Sequence, residues 1–100
     1  MTQPNASIAI QILPKVANEK AIPIVDAVIE HIKSSGLSYC VGPFETTVEG
    51  DFDALWDLAK RCHLICLESG APEVASYIKV HYNPKNGVWA IDEKISKHGR

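Results

Sequence analysis

The chain has 100 residues, 46% of them hydrophobic, and twelve acidic against ten basic side chains give it a net charge of −2. This length and apolar content suit one domain built around a single core. A chain this close to neutral has no general field that would draw it to nucleic acid or to an anionic membrane, so we expect neither as a partner. Its apolar runs are far shorter than the roughly 20 residues of a membrane-spanning helix.

The cysteines indicate a reducing compartment. Cys40, Cys62 and Cys66 are an odd number in a chain without a signal-peptide pattern at its start. We therefore expect free thiols and a cytoplasmic protein. A single domain is predicted over residues 1–100, with residues 1–5 as a flexible tail.

The first third of the chain predicts a strand and a helix. Apolar residues alternate with period two over Ser7–Leu13, and Pro14 ends this strand. Helical spacing of apolar residues predicts a first helix over Ala21–Ser35. Pro23 suits the first turn of this helix, and Gly36 suits a left-handed residue just past its end.

Two short strands and a second helix follow. The strands are predicted over Leu37–Val41 and Glu45–Glu49, with a turn at Gly42-Pro43 between them. Asp51 has the side chain and position of a helix N-cap, and Gly70 marks the end of the helix.

The remaining residues predict a fourth strand over Val74–Tyr82, a loop at 84–87 and a short helix over Val88–Lys97. The order of elements is the split-βαβ pattern, so we predict an α+β fold, a ferredoxin-like βαββαβ sandwich. Its four-stranded antiparallel sheet carries two helices on one face, plus the short C-terminal helix. Right-handed crossovers place the first and third strands in the middle of the sheet.

Period-two alternation divides the strand residues between two faces of this sheet. The branched residues of the first, third and fourth strands belong under the helices. The opposite, open face receives Gln11, Thr47, Glu49, Tyr77 and Lys79, with Ala9, Ala75, Tyr39 and Val41 near them. This surface mixes apolar and polar residues, and Trp56 and Trp89 lie outside the apolar helix faces that form the core. Both features predict self-association.

Several chemical motifs are weighed and set aside. Cys62-His63-x-x-Cys66 suggests a metal site, but both cysteines fall on the core stripe of the second helix, where cysteine acts as a small hydrophobe. The central strands lack the aromatic residues on which RNA-recognition domains stack bases. The four histidines are scattered and form no catalytic set. We therefore expect no metal, no cofactor and no enzymatic activity.

Four segments carry a resemblance to a known family. They are Ser35-Gly36-Leu37-Ser38-Tyr39, Gly42-Pro43, Thr46-x-x-Glu49-Gly50, and Ser69-Gly70 ahead of the fourth strand. In order and spacing, over nearly the whole chain, they resemble the small thiamine-binding proteins, also described as hydroxymethylpyrimidine-binding. The resemblance implies a ferredoxin-like fold and a homotetramer, a dimer of dimers with sheets facing each other. It also implies non-catalytic capture of thiamine or hydroxymethylpyrimidine.

The side chains of the open face fit such a ligand chemically. An aminopyrimidine presents an amine donor and ring-nitrogen acceptors, which a carboxylate and an amide can pair. Glu49 and Gln11 supply these groups from the two central strands, and Thr47 would assist. Tyr39 or Tyr77 would supply an aromatic face for stacking or for a thiazolium cation.

Charge narrows the choice of ligand. A diphosphate needs clustered basic residues, and Lys79 is the single one predicted on this face, which favours free thiamine or its pyrimidine moiety. Glu45, nearer the turn, is expected to be solvated. Two alternatives stay open: a regulatory module that senses amino acids, with Glu49 facing an amino group, and a purely structural oligomer.

Overall fold

The computed structural model describes residues 4–97 of the chain. Its elements are, in chain order, β1 Ala6–Pro14, α1 Asn18–Ser34, β2 Ser38–Val41, β3 Thr46–Gly50, α2 Phe52–Glu68, β4 Val74–Tyr82 and α3 Ile91–Lys97. Within the described residues, no helix is both long and apolar enough to cross a membrane.

The sheet has the order β2-β3-β1-β4, and every neighbouring pair is antiparallel. The first and third strands are therefore central, as the sequence predicts, and the ferredoxin-like α+β fold is confirmed. The register places Ile8 opposite both Val48 and Val80, so the branched residues of three strands share one face. Because strand residues alternate between faces, this pairing fixes the side of the sheet that every other strand residue occupies.

The core lies between that face and the two long helices. Its most completely buried large side chains are Ile8, Ile32, Leu55, Val48, Val88, Cys62 and Cys66. Burying one large aliphatic side chain contributes about 1.5–3 kcal/mol, so this layer is the main source of stability. Cys62 and Cys66 pack here as free thiols, as predicted, and Cys40 is also free.

The start of α1 differs from the prediction. The helix begins at Asn18, three residues before Ala21, so Pro23 lies inside it and not in its first turn. The extra turn is polar and exposed, and Ala17 at the N-cap makes no side-chain hydrogen bond, so neither periodicity nor capping marks this start. At the other end Gly36 has φ +80°, the predicted left-handed conformation.

The second helix begins as the sequence indicates. The Asp51 side chain accepts a hydrogen bond from the Ala54 N–H at 3.2 Å, as an N-cap does. Past its C-terminus, Gly70 has φ +105°, a conformation that favours glycine.

Both ends of the described chain are held against the sheet. Residues 1–3 of the predicted tail lie outside the described residues. Pro4 and Asn5, the rest of that tail, form hydrogen bonds. The Pro4 carbonyl accepts from the Val88 N–H at 2.9 Å, and Asn5 Oδ1 accepts from the Phe52 N–H at 3.0 Å. Val88 is buried ahead of α3, which begins at Ile91 and not at Val88 as predicted.

Candidate functional site

The open face of the sheet carries most of the residues proposed from the sequence. The register aligns Ala9 with Thr47 and Lys79 across the three strands β3, β1 and β4, and it pairs Gln11 with Tyr77. These residues alternate with the core positions and therefore point away from the helices. Glu49 belongs to the same face, opposite Ser7.

Tyr39 is placed differently from the prediction. It pairs with Val48, whose side chain is fully buried beneath the helices, so Tyr39 lies on the helix side of the sheet. Val41 lies on that side as well, opposite Thr46. The short edge strand β2 has three of its four residues exposed, so no burial pattern reveals which face each of them occupies.

The C-terminal segment closes the Glu49 end of the open face. Glu49 Oε2 accepts a hydrogen bond from the Ile91 N–H at 2.7 Å, at the first residue of α3. A carboxylate is favourable there because the first N–H groups of a helix have no partner within it. Ser7 beside Glu49 is only 6% exposed, and Val88 and Ile91 are buried. The sequence does not reveal this contact, because its partners are 42 residues apart.

The other end of the open face is accessible. A shallow cleft of about 430 Å³ lies there, lined by Cys40, Thr47 and Lys79 and by the turn residues 42–45. Glu45 Oε2 is 3.0 Å from Lys79 Nζ. Glu45 is therefore partnered, where the sequence predicts a solvated side chain. The pair is partly exposed, so its net contribution to stability is small.

A second recess lies between α1 and the same turn. This slot has a volume of about 190 Å³ and is lined mainly by apolar residues: Val25, Val28, Ile29 and Ile32 of α1, Ile10 to Leu13 of β1, and 41–46. Its shape depends on the turn, where the Gly42 N–H donates to the Glu45 carbonyl at 2.9 Å. A Cβ at Gly42 would lie 2.8 Å from that carbonyl oxygen, so the turn requires glycine.

Cys62, Cys66 and His63 have structural roles. Burial, with a smaller effect from Cys66, raises the pKa of Cys62 to about 11, and burial also raises the pKa of Cys66. His63 Nδ1 donates to the Ala59 carbonyl at 2.6 Å, and its Nε2 is 2.8 Å from Ser76 Oγ. Among the described residues, no three His, Cys, Asp or Glu side chains form a group suited to a metal ion.

The fold and these two recesses define a small ferredoxin-like domain with ligand-sized depressions on both sides of its β2–β3 turn. The chain belongs to the thiamine-binding protein family, whose model matches residues 8–99. The family resemblance predicted from the sequence is thereby confirmed.

Three similar proteins illustrate the relationship. The UPF0045 protein of Clostridium perfringens is 42% identical over 92 residues, which cover 92% of this chain and 95% of that protein. A Bacillus cereus domain of unknown function, DUF77, has a solved structure with 40% identity and a TM-score of 0.86, covering 98% of this chain and 92% of that one. A solved Thermotoga maritima protein, provisionally assigned to thiamine biosynthesis or salvage, shows 31% identity and a TM-score of 0.81, with coverage of 93% and 97%.

Proposed function

We propose that this protein binds thiamine, or its hydroxymethylpyrimidine moiety, without transforming it, on the open sheet face of a homo-oligomer. The observation that carries the proposal is the open face itself, in a chain of the thiamine-binding family. On this face an amide, a hydroxyl, an aromatic ring and an ammonium group lie on adjacent strands: Gln11, Thr47, Tyr77 and Lys79.

These side chains match the chemistry of the ligand. The amide of Gln11 can both donate to a ring nitrogen and accept from an amine, and the Thr47 hydroxyl has the same double capacity. Tyr77 is 69% exposed, so its ring is free to stack on an aromatic ligand or to face a thiazolium cation. Lys79 is the single lysine in the four strands, which contain no arginine. Its ammonium group already pairs with Glu45. A diphosphate therefore finds few partners there.

We place the ligand at the accessible end of the face, near the cleft. At the other end the carboxylate of Glu49 is engaged with the Ile91 N–H, and Ser7 is covered. The sequence suggests instead a direct contact between Glu49 and the ligand, and a single variant distinguishes the two placements.

Titration calorimetry tests the proposal. Wild-type protein should bind thiamine and hydroxymethylpyrimidine, should bind thiamine diphosphate more weakly, and should not bind amino acids. Glu49→Gln should leave the affinity unchanged, because the ligand lies at the other end of the face and the amide oxygen still accepts from Ile91.

A loss of about ten- to a hundredfold in Glu49→Gln would instead assign a charge-assisted hydrogen bond to Glu49. Binding of an amino acid alone would establish the sensing module in place of the thiamine proposal. An absence of any binding would favour the purely structural oligomer.

A further inference from the structure

One end of β1 extends past its neighbour β3. The ladder between these strands ends at the pair Ile10 and Thr46, whereas β1 continues to Pro14 and stays paired with β4 throughout. Over its last residues β1 therefore has a strand on one side only. The other side faces the β2–β3 turn and the slot beneath it.

Hydrogen bonds at the ends of the β1–β4 ladder show where each backbone group of β1 points. The Lys15 N–H donates to the Glu73 carbonyl at 2.9 Å, and the Asn83 N–H donates to the Asn5 carbonyl at 2.8 Å. Because bonding alternates along an antiparallel strand, odd-numbered residues of β1 bond to β4 and even-numbered residues face β3. Ile12 thus directs its N–H and C=O into the space beyond the end of β3. Among the described residues, no protein group bonds to either.

The space that receives these two groups has the size of one aromatic ring. An apolar cavity of roughly 150 Å³ holds a benzene molecule, and the slot measures about 190 Å³. Val25 and Ile29 of α1 and Val41 of β2 contribute apolar walls. Phe44, in the turn beside the slot, is 81% exposed, so its ring is available to cover a bound ligand.

We propose that the slot binds the aminopyrimidine ring, with the Ile12 N–H donating to a ring nitrogen and the Ile12 C=O accepting from the exocyclic amine. This inference rests on the proposed binding of thiamine or hydroxymethylpyrimidine, but it places the aminopyrimidine ring in the slot and not against Gln11 and Thr47 of the open face. A donor and an acceptor side by side on one strand edge complement the acceptor and donor on the edge of a 4-aminopyrimidine. The apolar walls contact the two faces of the ring, while its polar edge pairs with the Ile12 backbone.

The position of the slot also accommodates the second ring of thiamine. The slot and the cleft of the open face share the turn residues Gly42, Pro43, Phe44 and Glu45. A substituent that leaves the slot across this turn meets the carboxylate of Glu45, which suits the cationic thiazolium. The aminopyrimidine is thus recognised by backbone groups, and the thiazolium by side chains of the open face.

Filling the slot tests the proposal. Val25 is half-buried and lines the slot, so Val25→Phe should occupy it and weaken hydroxymethylpyrimidine binding at least tenfold in titration calorimetry. Ile22→Phe is the matched control, because Ile22 lies on the same helix, is exposed and does not line the slot. It should bind as the wild type does. A pyrimidine that lacks the 4-amino group should bind the wild type with an affinity lower by about tenfold or more, because it leaves the Ile12 C=O unpaired.

Amide hydrogen exchange of the wild type provides a readout that does not depend on any variant. In the free protein the Ile12 amide should exchange faster than the Ile10 amide, which is bonded to β3. Saturating hydroxymethylpyrimidine should slow exchange at Ile12 and leave Ile10 unchanged. If the wild type binds the ligand but Ile12 is unaffected and Val25→Phe equals Ile22→Phe, the slot is excluded and the open-face proposal stands. If the wild type binds neither thiamine nor hydroxymethylpyrimidine, the proposed function itself fails.

Discussion

Glu45 and Glu49 show what alternation along a strand can predict about single residues. Both lie on the open face, as period two requires, but Glu45 pairs with Lys79 and Glu49 accepts from the Ile91 N–H. Alternation gives the face, whereas the partner comes from an element far away in the chain. Tyr39 shows the opposite case, because its face was predicted wrongly. In a strand with little burial contrast, only the pairing with β3 decides which way a side chain points.

Cys62 gives a residue-scale prediction about pH. Its pKa is about 11 in the folded protein against 9.0 for an ordinary cysteine. Below pH 9 the thiol is protonated in both states, and between about pH 9 and pH 11 the unfolded state loses its proton first. The free energy of unfolding should therefore fall across this window, by up to about 2–3 kcal/mol from this group.

Urea titrations at several pH values measure this fall. Cys62→Ala serves as the control, because it retains all other titrating groups and lacks the thiol. Its stability should change less steeply between pH 9 and pH 11 than that of the wild type. Parallel curves for the two proteins would show that burial of this thiol does not make stability depend on pH.

At the scale of elements, the sequence predicts which helices and strands exist better than where they begin or what they contact. The α2 helix starts at its predicted cap, since Asp51 has a side chain that identifies the position. The α1 helix has no such residue and starts earlier than its apolar pattern suggests. For α3, the sequence predicts a helix but not its docking on the open face, because short helices carry few apolar residues to show their orientation.

The docking of α3 gives a prediction for this element. Glu49→Ala removes the acceptor for the Ile91 N–H, which should weaken attachment of α3 by about 0.5–2 kcal/mol, the range for loss of a helix cap. Trypsin should then cleave at Lys94 about two- to thirtyfold faster than in the wild type, if cleavage follows the undocked population. Glu49→Gln, whose amide oxygen can still accept, should stay close to the wild type. Equal cleavage rates in all three proteins would mean that this bond does not hold α3.

At the scale of the whole molecule, the fold follows from the order of elements, but the recesses do not. The slot exists because β1 has nine residues and β3 has five, so one strand continues where the other has turned away. A small error in either boundary would remove this mismatch, and such boundaries are the least certain part of a sequence-based prediction. The surface composition, in contrast, is predictable. Tyr77 on the open face is 69% exposed, Trp89 ahead of α3 is 49% exposed and Trp56 on the helix side is 42% exposed, which favours partners on more than one side of the molecule.

We expect the protein to assemble into a homotetramer, with open sheet faces directed at each other. Light scattering at micromolar concentration should give a mass close to four times the 11.0 kDa of the chain. Tyr77→Glu should lower this mass, because it places a charge within the sheet face that the tetramer would bury. Lys20→Glu, an exposed change on α1, should leave it unchanged. A mass of one chain for the wild type would contradict the tetramer.

The positions of the two tryptophans have a practical consequence for spectroscopy. Trp56 belongs to α2, on the helix side, where the ring of Phe52 meets it edge-on at 6.3 Å. Trp89 belongs to the segment that leads into α3 at the other side of the sheet. The chain contains no further tryptophan, so its intrinsic fluorescence has two sources in separate surroundings. Replacing Trp56 with phenylalanine leaves one emitter, and its emission wavelength then reports the hydration of the C-terminal segment without any attached dye.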